Sequence, residues 1–179
     1  MKAAVITAAR DPSVLREAEI DIPEPGAGQI RVRVRAIGVN PIESKIRAGA
    51  IPVPLPAVLG FEFAGAVDAL GAGVSDVQPG DRVVGWPDGP VGSYAELTLS
   101  SSYVLLPDAV SVEEAAAVLV AADTASRVLA ELGVRDALQM LSDGRLTVRI
   151  GHVLPLRDAA AAHRLSDSGH PGGKILLVP

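Results

Sequence analysis

Few side chains in this sequence are of the kinds that run chemistry, and they are far apart. Tyr94 offers a phenol that can donate a hydrogen bond or a proton to a substrate. A tyrosine in a strand can equally pack, with its hydroxyl at the rim. Asn40 stands directly before Pro41, where an asparagine caps a following helix well. His152, His163 and His170 show no H-E-x-x-H or comparable metal spacing and read as surface or packing residues. There is no cysteine, which excludes disulfides and thiolate-held zinc. Gly26-Ala-Gly28 and Gly71-Ala-Gly73 are G-x-G pairs without the third glycine of a dinucleotide fingerprint. Neither lies between a strand and a helix N-terminus that could receive a pyrophosphate, so both read as turns.

The elements that must position these groups are short. Residues 2–7 and 15–20 read as strands that pair antiparallel across the turn at Arg10-Asp-Pro12. In 29–37, Arg31, Arg33 and Arg35 alternate with Val32, Val34 and Ala36, the period of a half-buried strand with a wet arginine face. Residues 42–48 form a short helix with Pro41 in its first turn and Gly49 closing it. Pro52, Pro54 and Pro56 impose an extended loop. A strand follows over 61–70, its Gly65 marking a bulge or a close backbone approach. Pro79-Gly-Asp81 is a turn into another strand, and 93–99 and 103–106 are two more. Such short strands between Gly/Pro turns indicate a barrel or sandwich.

The character then changes. Ser111-Val-Glu-Glu114 is a capping sequence opening an alanine-rich helix. Further helices are expected over 122–132, ending at Gly133, and over 135–142. A strand at 146–154, a helix at 156–166 and a strand at 174–178 complete the chain. The 179 residues are 49% hydrophobic and 21% charged, an ordinary globular balance. Aromatics are 3%, so the core must be aliphatic. A formal net charge of -5 with no basic run argues against nucleic acid. No apolar run reaches membrane-spanning length and no signal-peptide pattern opens the chain, so a cytoplasmic protein is expected.

Taken in order, several stretches resemble the medium-chain dehydrogenase/reductase superfamily, specifically its zinc-free quinone and enone reductase branch. They are Gly38-Val-Asn-Pro41, Ile46-Arg-Ala-Gly49, Leu59-Gly-Phe-Glu-Phe-Ala-Gly65, Pro79-Gly-Asp-Arg-Val83 and Gly92-Ser-Tyr-Ala-Glu96. Ala122-Asp-Thr-Ala125, Leu154-Pro-Leu156, Ala162-His-Arg-Leu165 and Gly173-Lys-Ile-Leu-Leu177 extend the resemblance to nearly the whole chain. The zinc branch has Cys where Asn40 stands and Gly-His-Glu where Gly60-Phe61-Glu62 stands, so the resemblance implies no metal. It implies a mainly β fold with peripheral helices (α+β), a GroES-like, partly open β-barrel. It implies hydride transfer from NADPH to a quinone or enone, with Asn40 and Tyr94 as catalytic candidates and Asn40, Thr124 and Lys174 as cofactor contacts.

Asn40 would then donate to a developing oxyanion or hold the carboxamide. Thr124 would lie at the nicotinamide edge, or simply bond back within its helix. Lys174 would reach a cofactor phosphate, or stand exposed at a strand entry. Glu62 is expected to pair with Arg47 or Arg82, and Trp86 and Phe61 to line cleft or core. The family's Rossmann domain, on the order of 100–150 residues, is missing between Val134 and Arg135. This divides a single GroES-like domain into 1–134 and 135–179, with an excision inferred near 134/135. The chain alone is expected to bind no NADPH and to be inactive or nearly so. The alternatives are a binding module on the same barrel and a half-enzyme using a partner's cofactor domain. The surface bared near 115–125 is expected to drive a homodimer or higher assembly.

Overall fold

In the computed structural model the described residues are 1–89, 92–129, 134–169 and 171–179. Two sheets share one core. The smaller has the order β2-β1-β4, built from β1 (Lys2–Ile6), β2 (Arg16–Glu19) and the short β4 (Ala57–Val58). β1 and β2 pair antiparallel as their composition implies, with a 3-10 turn at Pro12–Val14 between them. The larger sheet is seven-stranded. Along it run β8 (Ser102–Leu105), β6 (Arg82–Trp86), β5 (Phe63–Leu70), β3 (Ile30–Val39), β10 (Lys174–Val178) and β9 (Ile150–Pro155), with β7 (Leu97–Ser100) also on β3. The described strands do not close into a barrel. An isolated bridge, Ala3 to Ala95, ties the two sheets together.

The long strand β3 is the spine. Its alternation buries Ile30, Val32, Val34 and Ala36. The opposite face is less wet than the arginines suggest. Asp68 accepts from Arg31 Nε at 2.7 Å and from Arg33 at 2.6 Å, and the Arg31 side chain is half-buried beneath this pair. Gly65 lies where β5 meets β3, and a Cβ there would stand 2.2 Å from the Arg33 carbonyl oxygen, so this close approach requires glycine.

Helix α1 (Pro41–Arg47) follows β3 directly, and Gly49, with φ of 85°, closes it. The helix expected over 122–132 does not begin separately. α2 (Val112–Leu129) is one 18-residue helix, because no Gly or Pro interrupts it after its cap. That cap is reciprocal: Glu114 accepts from the Ser111 N–H, and the Ser111 hydroxyl accepts from the Glu114 N–H. The expected helix end at Leu132-Gly133 lies outside the described residues. α3 (Val134–Ser142) and α4 (Ala159–Asp167) complete the helices.

α2 lies across β3, β5, β6 and β10. It buries Ala115, Ala116, Val118, Leu119 and Ala122 against Ala36, Ala64, Val84 and Leu176. Of the surface expected to be bare near 115–125, Ala115 to Leu119 and Ala122 are covered by the chain's own sheet, while Ala121 and Thr124 are exposed.

Candidate functional site

The site is set by register. β10 runs antiparallel to β3 with Ile175 opposite Val39, so Lys174 comes to lie beside Asn40. The Lys174 ammonium donates to the Asn40 side-chain oxygen and, at 2.8 Å, to Glu62 Oε1. Asn40 Nδ2 donates to the same Glu62 oxygen at 2.8 Å and toward Glu43 Oε1 at 3.4 Å. The second oxygen of Glu62 accepts the Val120 backbone N–H of α2 at 2.7 Å. Glu62 is thus a fully buried carboxylate held by an ammonium, an amide and a helix backbone. Both amide donors of Asn40 point at carboxylates.

This corrects two expectations. Glu62 pairs with neither Arg47 nor Arg82. Arg47 ends α1 and reaches α4, while Arg82 donates to the Pro107 and Val110 carbonyls. Lys174 is not an exposed strand-entry lysine, since its side chain is 14% accessible. Gly38 makes room for the arrangement. A Cβ there would fall 2.0 Å from Glu62 Oε1.

Glu43, three residues after Asn40, has spacing that marks a capping box. Its Oε2 accepts the Asn40 N–H at 2.9 Å. Burial, reinforced by the nearby Glu62 charge and opposed by its hydrogen bonds and by Lys174, pushes its carboxyl up to about 7.

A second buried cluster contains Tyr94. Its hydroxyl lies 3.2 Å from His163 Nε2, and the two rings meet edge to face at 5.9 Å. Tyr94 is fully buried, so its hydroxyl is not at a rim. Burial, with the Glu43 and Glu62 charges adding, raises the phenol well above its ordinary value. His163 Nδ1 accepts from Arg47 Nε at 3.1 Å. Because a guanidinium only donates, the neutral imidazole carries its proton on Nε2 and donates to the Tyr94 oxygen. Arg47 also binds Asp167 at 2.7 Å and the Arg10 carbonyl. Burial first, and then the adjacent guanidinium, lower His163 to about 4. Of the other histidines, His152 is exposed and His170 lies outside the described residues.

Beside these clusters opens a cavity of about 450 Å3. It lies between the proline loop, Ile46 and the end of β6, and both Phe61 and Trp86 line it as expected. Asn40, Tyr94, Thr124 and Lys174 are not among its described lining residues. Thr124 is exposed on α2, one helical turn beyond the Val120 that binds Glu62. Asn40 and Lys174 are therefore together, Thr124 is near but apart, and Tyr94 belongs to the other cluster.

The described residues do not fit a whole dinucleotide. The larger sheet has one parallel pair, β9 with β10. Its connecting helix α4 is entered through Asp158, a carboxylate where a phosphate would be repelled. Lys174, the cation nearest the site, is already engaged. No group of three or more His, Cys, Asp or Glu that could hold a metal occurs among the described residues.

These features define a dehydrogenase-type GroES-like fold. Residues 26–113 match the alcohol dehydrogenase GroES-like domain, and the chain carries this domain of the medium-chain dehydrogenase/reductase superfamily. A quinone oxidoreductase from Pseudomonas aeruginosa is 44% identical over 111 residues, which are 60% of this chain and 34% of that protein. The chain thus spans about a third of the length of such curated relatives. A mycobacterial quinone oxidoreductase superposes with a TM-score of 0.87 at 20% identity, covering 100% of both chains. The Escherichia coli quinone oxidoreductase complexed with NADPH gives 0.69 at 29% identity, over 87% of this chain and 44% of that one. The catalytic domain is quinone oxidoreductase-like.

Proposed function

We propose that this chain is the substrate-side domain of a zinc-independent, NADPH-dependent quinone or enone reductase, and that it does not turn over alone. The observation that carries this is the Asn40–Glu62–Lys174 knot. At the two positions where the zinc branch supplies Cys and His, this chain has an amide committed to a buried carboxylate and a half-exposed phenyl ring, Phe61. Neither ligates zinc.

The chain's own contribution in this reading is positional. The apolar cavity excludes water from a bound substrate. Lys174 and Glu62 hold Asn40 in a single orientation beside it, and Val120 couples that knot to α2, which carries Thr124 toward the family's cofactor side. The nucleotide half would enter between residues 134 and 135, at the start of α3. Similarity to relatives of which the matched residues make up about a third supports this division.

The test is a graft. Inserting the nucleotide-binding region of the Pseudomonas relative between Val134 and Arg135 should create quinone-dependent NADPH oxidation that the chain alone lacks. Turnover by the ungrafted chain would overturn the proposal. So would a folded graft that binds NADPH and reduces no quinone or enone.

A further inference from the structure

A second cleft, sharing no lining residue with the one beside Phe61 and Trp86, opens along β3. It forms where the sheet parts. β7 pairs with Ile30–Arg33 and β10 with Ile37–Val39, so Val34, Arg35 and Ala36 lie between the ends of two strands. The ladder to β5 also steps over Arg35, passing from Val34 to Ala36, an irregularity of the kind that re-aims a side chain. The resulting cavity is about 280 Å3. Arg33, Val34 and Arg35 line it, together with Glu96 at the head of β7 and Pro179 at the tail of β10.

The charges on this wall are not neutralised within the chain. Arg33 and Arg35 share one face of β3 by the alternation of the strand. Asp68 accepts from Arg33 Nη2 at 2.6 Å and also holds Arg31, while Nε and Nη1 of Arg33 have no partner among the described residues. Arg35 is exposed and makes no hydrogen bond or ion pair among them. Glu96 is fixed by its Oε2, which accepts the Lys2 backbone N–H at 2.8 Å. The Lys2 ammonium turns instead to Glu17 at 3.0 Å, so it does not cancel the Glu96 charge. Arg35 and Glu96 line one small cavity and form no ion pair with each other.

We infer that this cleft binds a small zwitterion, a free α-amino acid with a short uncharged side chain, its carboxylate on Arg35 and Arg33 and its ammonium on Glu96. A guanidinium presents paired N–H donors that match a carboxylate. Glu96 keeps its second oxygen for an ammonium, since only Oε2 is engaged. A lone carboxylate satisfies half of this site. A phosphate dianion gains the arginines but meets the Glu96 charge. The groups lie close to solvent, so the affinity is modest and falls as salt rises.

The experiment titrates the whole isotope-labelled chain with L-alanine, propionate, ethylamine and inorganic phosphate, at constant ionic strength and neutral pH, following backbone amide shifts by NMR. Alanine should give saturable shifts centred on Val34, Arg35 and Glu96, with a Kd on the order of millimolar. The other three probes should each bind at least about threefold more weakly. Arg35→Gln should weaken alanine by at least about threefold and leave ethylamine unchanged. Glu96→Gln keeps an acceptor for the Lys2 N–H and should bring alanine down to the level of propionate. Propionate or phosphate binding as tightly as alanine would overturn the proposal and leave a plain anion site. Alanine binding that Arg35→Gln does not weaken, or no saturable shift at tens of millimolar alanine, would overturn it as well. None of these residues serves the proposed reductase role, so neither result bears on the graft.

Discussion

The two buried polar clusters are built from similar parts and respond oppositely to protons. The knot around Glu62 draws together two carboxylates, an amide and one ammonium, all but the lysine fully or nearly fully buried. The cluster around His163 is instead a chain, from Tyr94 through the imidazole and Arg47 to Asp167, whose carboxylate is 37% exposed. In the first, surplus negative charge is relieved as Glu43 takes up a proton when pH falls through about 7. In the second, surplus positive charge is avoided by His163 staying neutral. The knot closes on itself beside α2, while the chain runs out to water and clasps α1 to α4.

Breaking the knot should have the largest effect. Lys174→Met leaves Glu62 buried without its cation and should cost about 3–5 kcal/mol in urea unfolding. A cost under about 1 kcal/mol would mean that Asn40 and the Val120 N–H suffice. Arg47→Met should cost less, about 2 kcal/mol, because it strands the His163 nitrogen and the Arg10 carbonyl while Asp167 turns to solvent. If the two variants proved equal, the contrast between closed knot and open chain would fail.

The pH dependence sharpens the comparison with smaller effects. Glu43 has its folded value raised from 4.5 to about 7. Its contribution is fully present below pH 4.5 and is lost as pH rises through about 7. His163 is lowered from 6.5 to about 4, so its contribution is fully present above pH 6.5 and is lost as pH falls through about 4. Urea midpoints measured across this range should show Glu43→Gln abolishing the alkaline loss and His163→Gln abolishing the acid loss. The same sign of change in both variants would contradict the assignment. As a control outside both clusters, Arg33→Ala should change stability by no more than about 0.5 kcal/mol, since Arg33 is half-exposed and Asp68 keeps Arg31.

What the sequence made legible was local. The β1–β2 hairpin, the alternation of β3, the cap at Ser111-x-x-Glu114 and the turn glycine Gly49 all rest on neighbours within a few residues. The Asn40-x-x-Glu43 spacing is legible in the same way, and it marks Glu43 as a member of the site. The break supposed near Ala122 had no such signal behind it, and α2 runs on. The knot itself was hidden for a different reason. Lys174 meets Asn40 through one strand register across 134 residues of chain, and Glu62 arrives from a third segment. Choosing arginine partners for Glu62 by charge alone ignored that register. Tyr94 and His163 meet by a similarly distant packing of α4.

The central claim is that this domain supplies the substrate side of a reductase without the nucleotide side. The most direct measurement is calorimetric titration of the folded chain with NADPH, alongside a quinone turnover assay. The account predicts no saturable binding up to roughly millimolar cofactor, a standard free energy weaker than about -4 kcal/mol, and no NADPH oxidation. Micromolar binding with quinone-dependent oxidation would contradict it, and would require a phosphate site built from residues other than Lys174 and the entrance to α4.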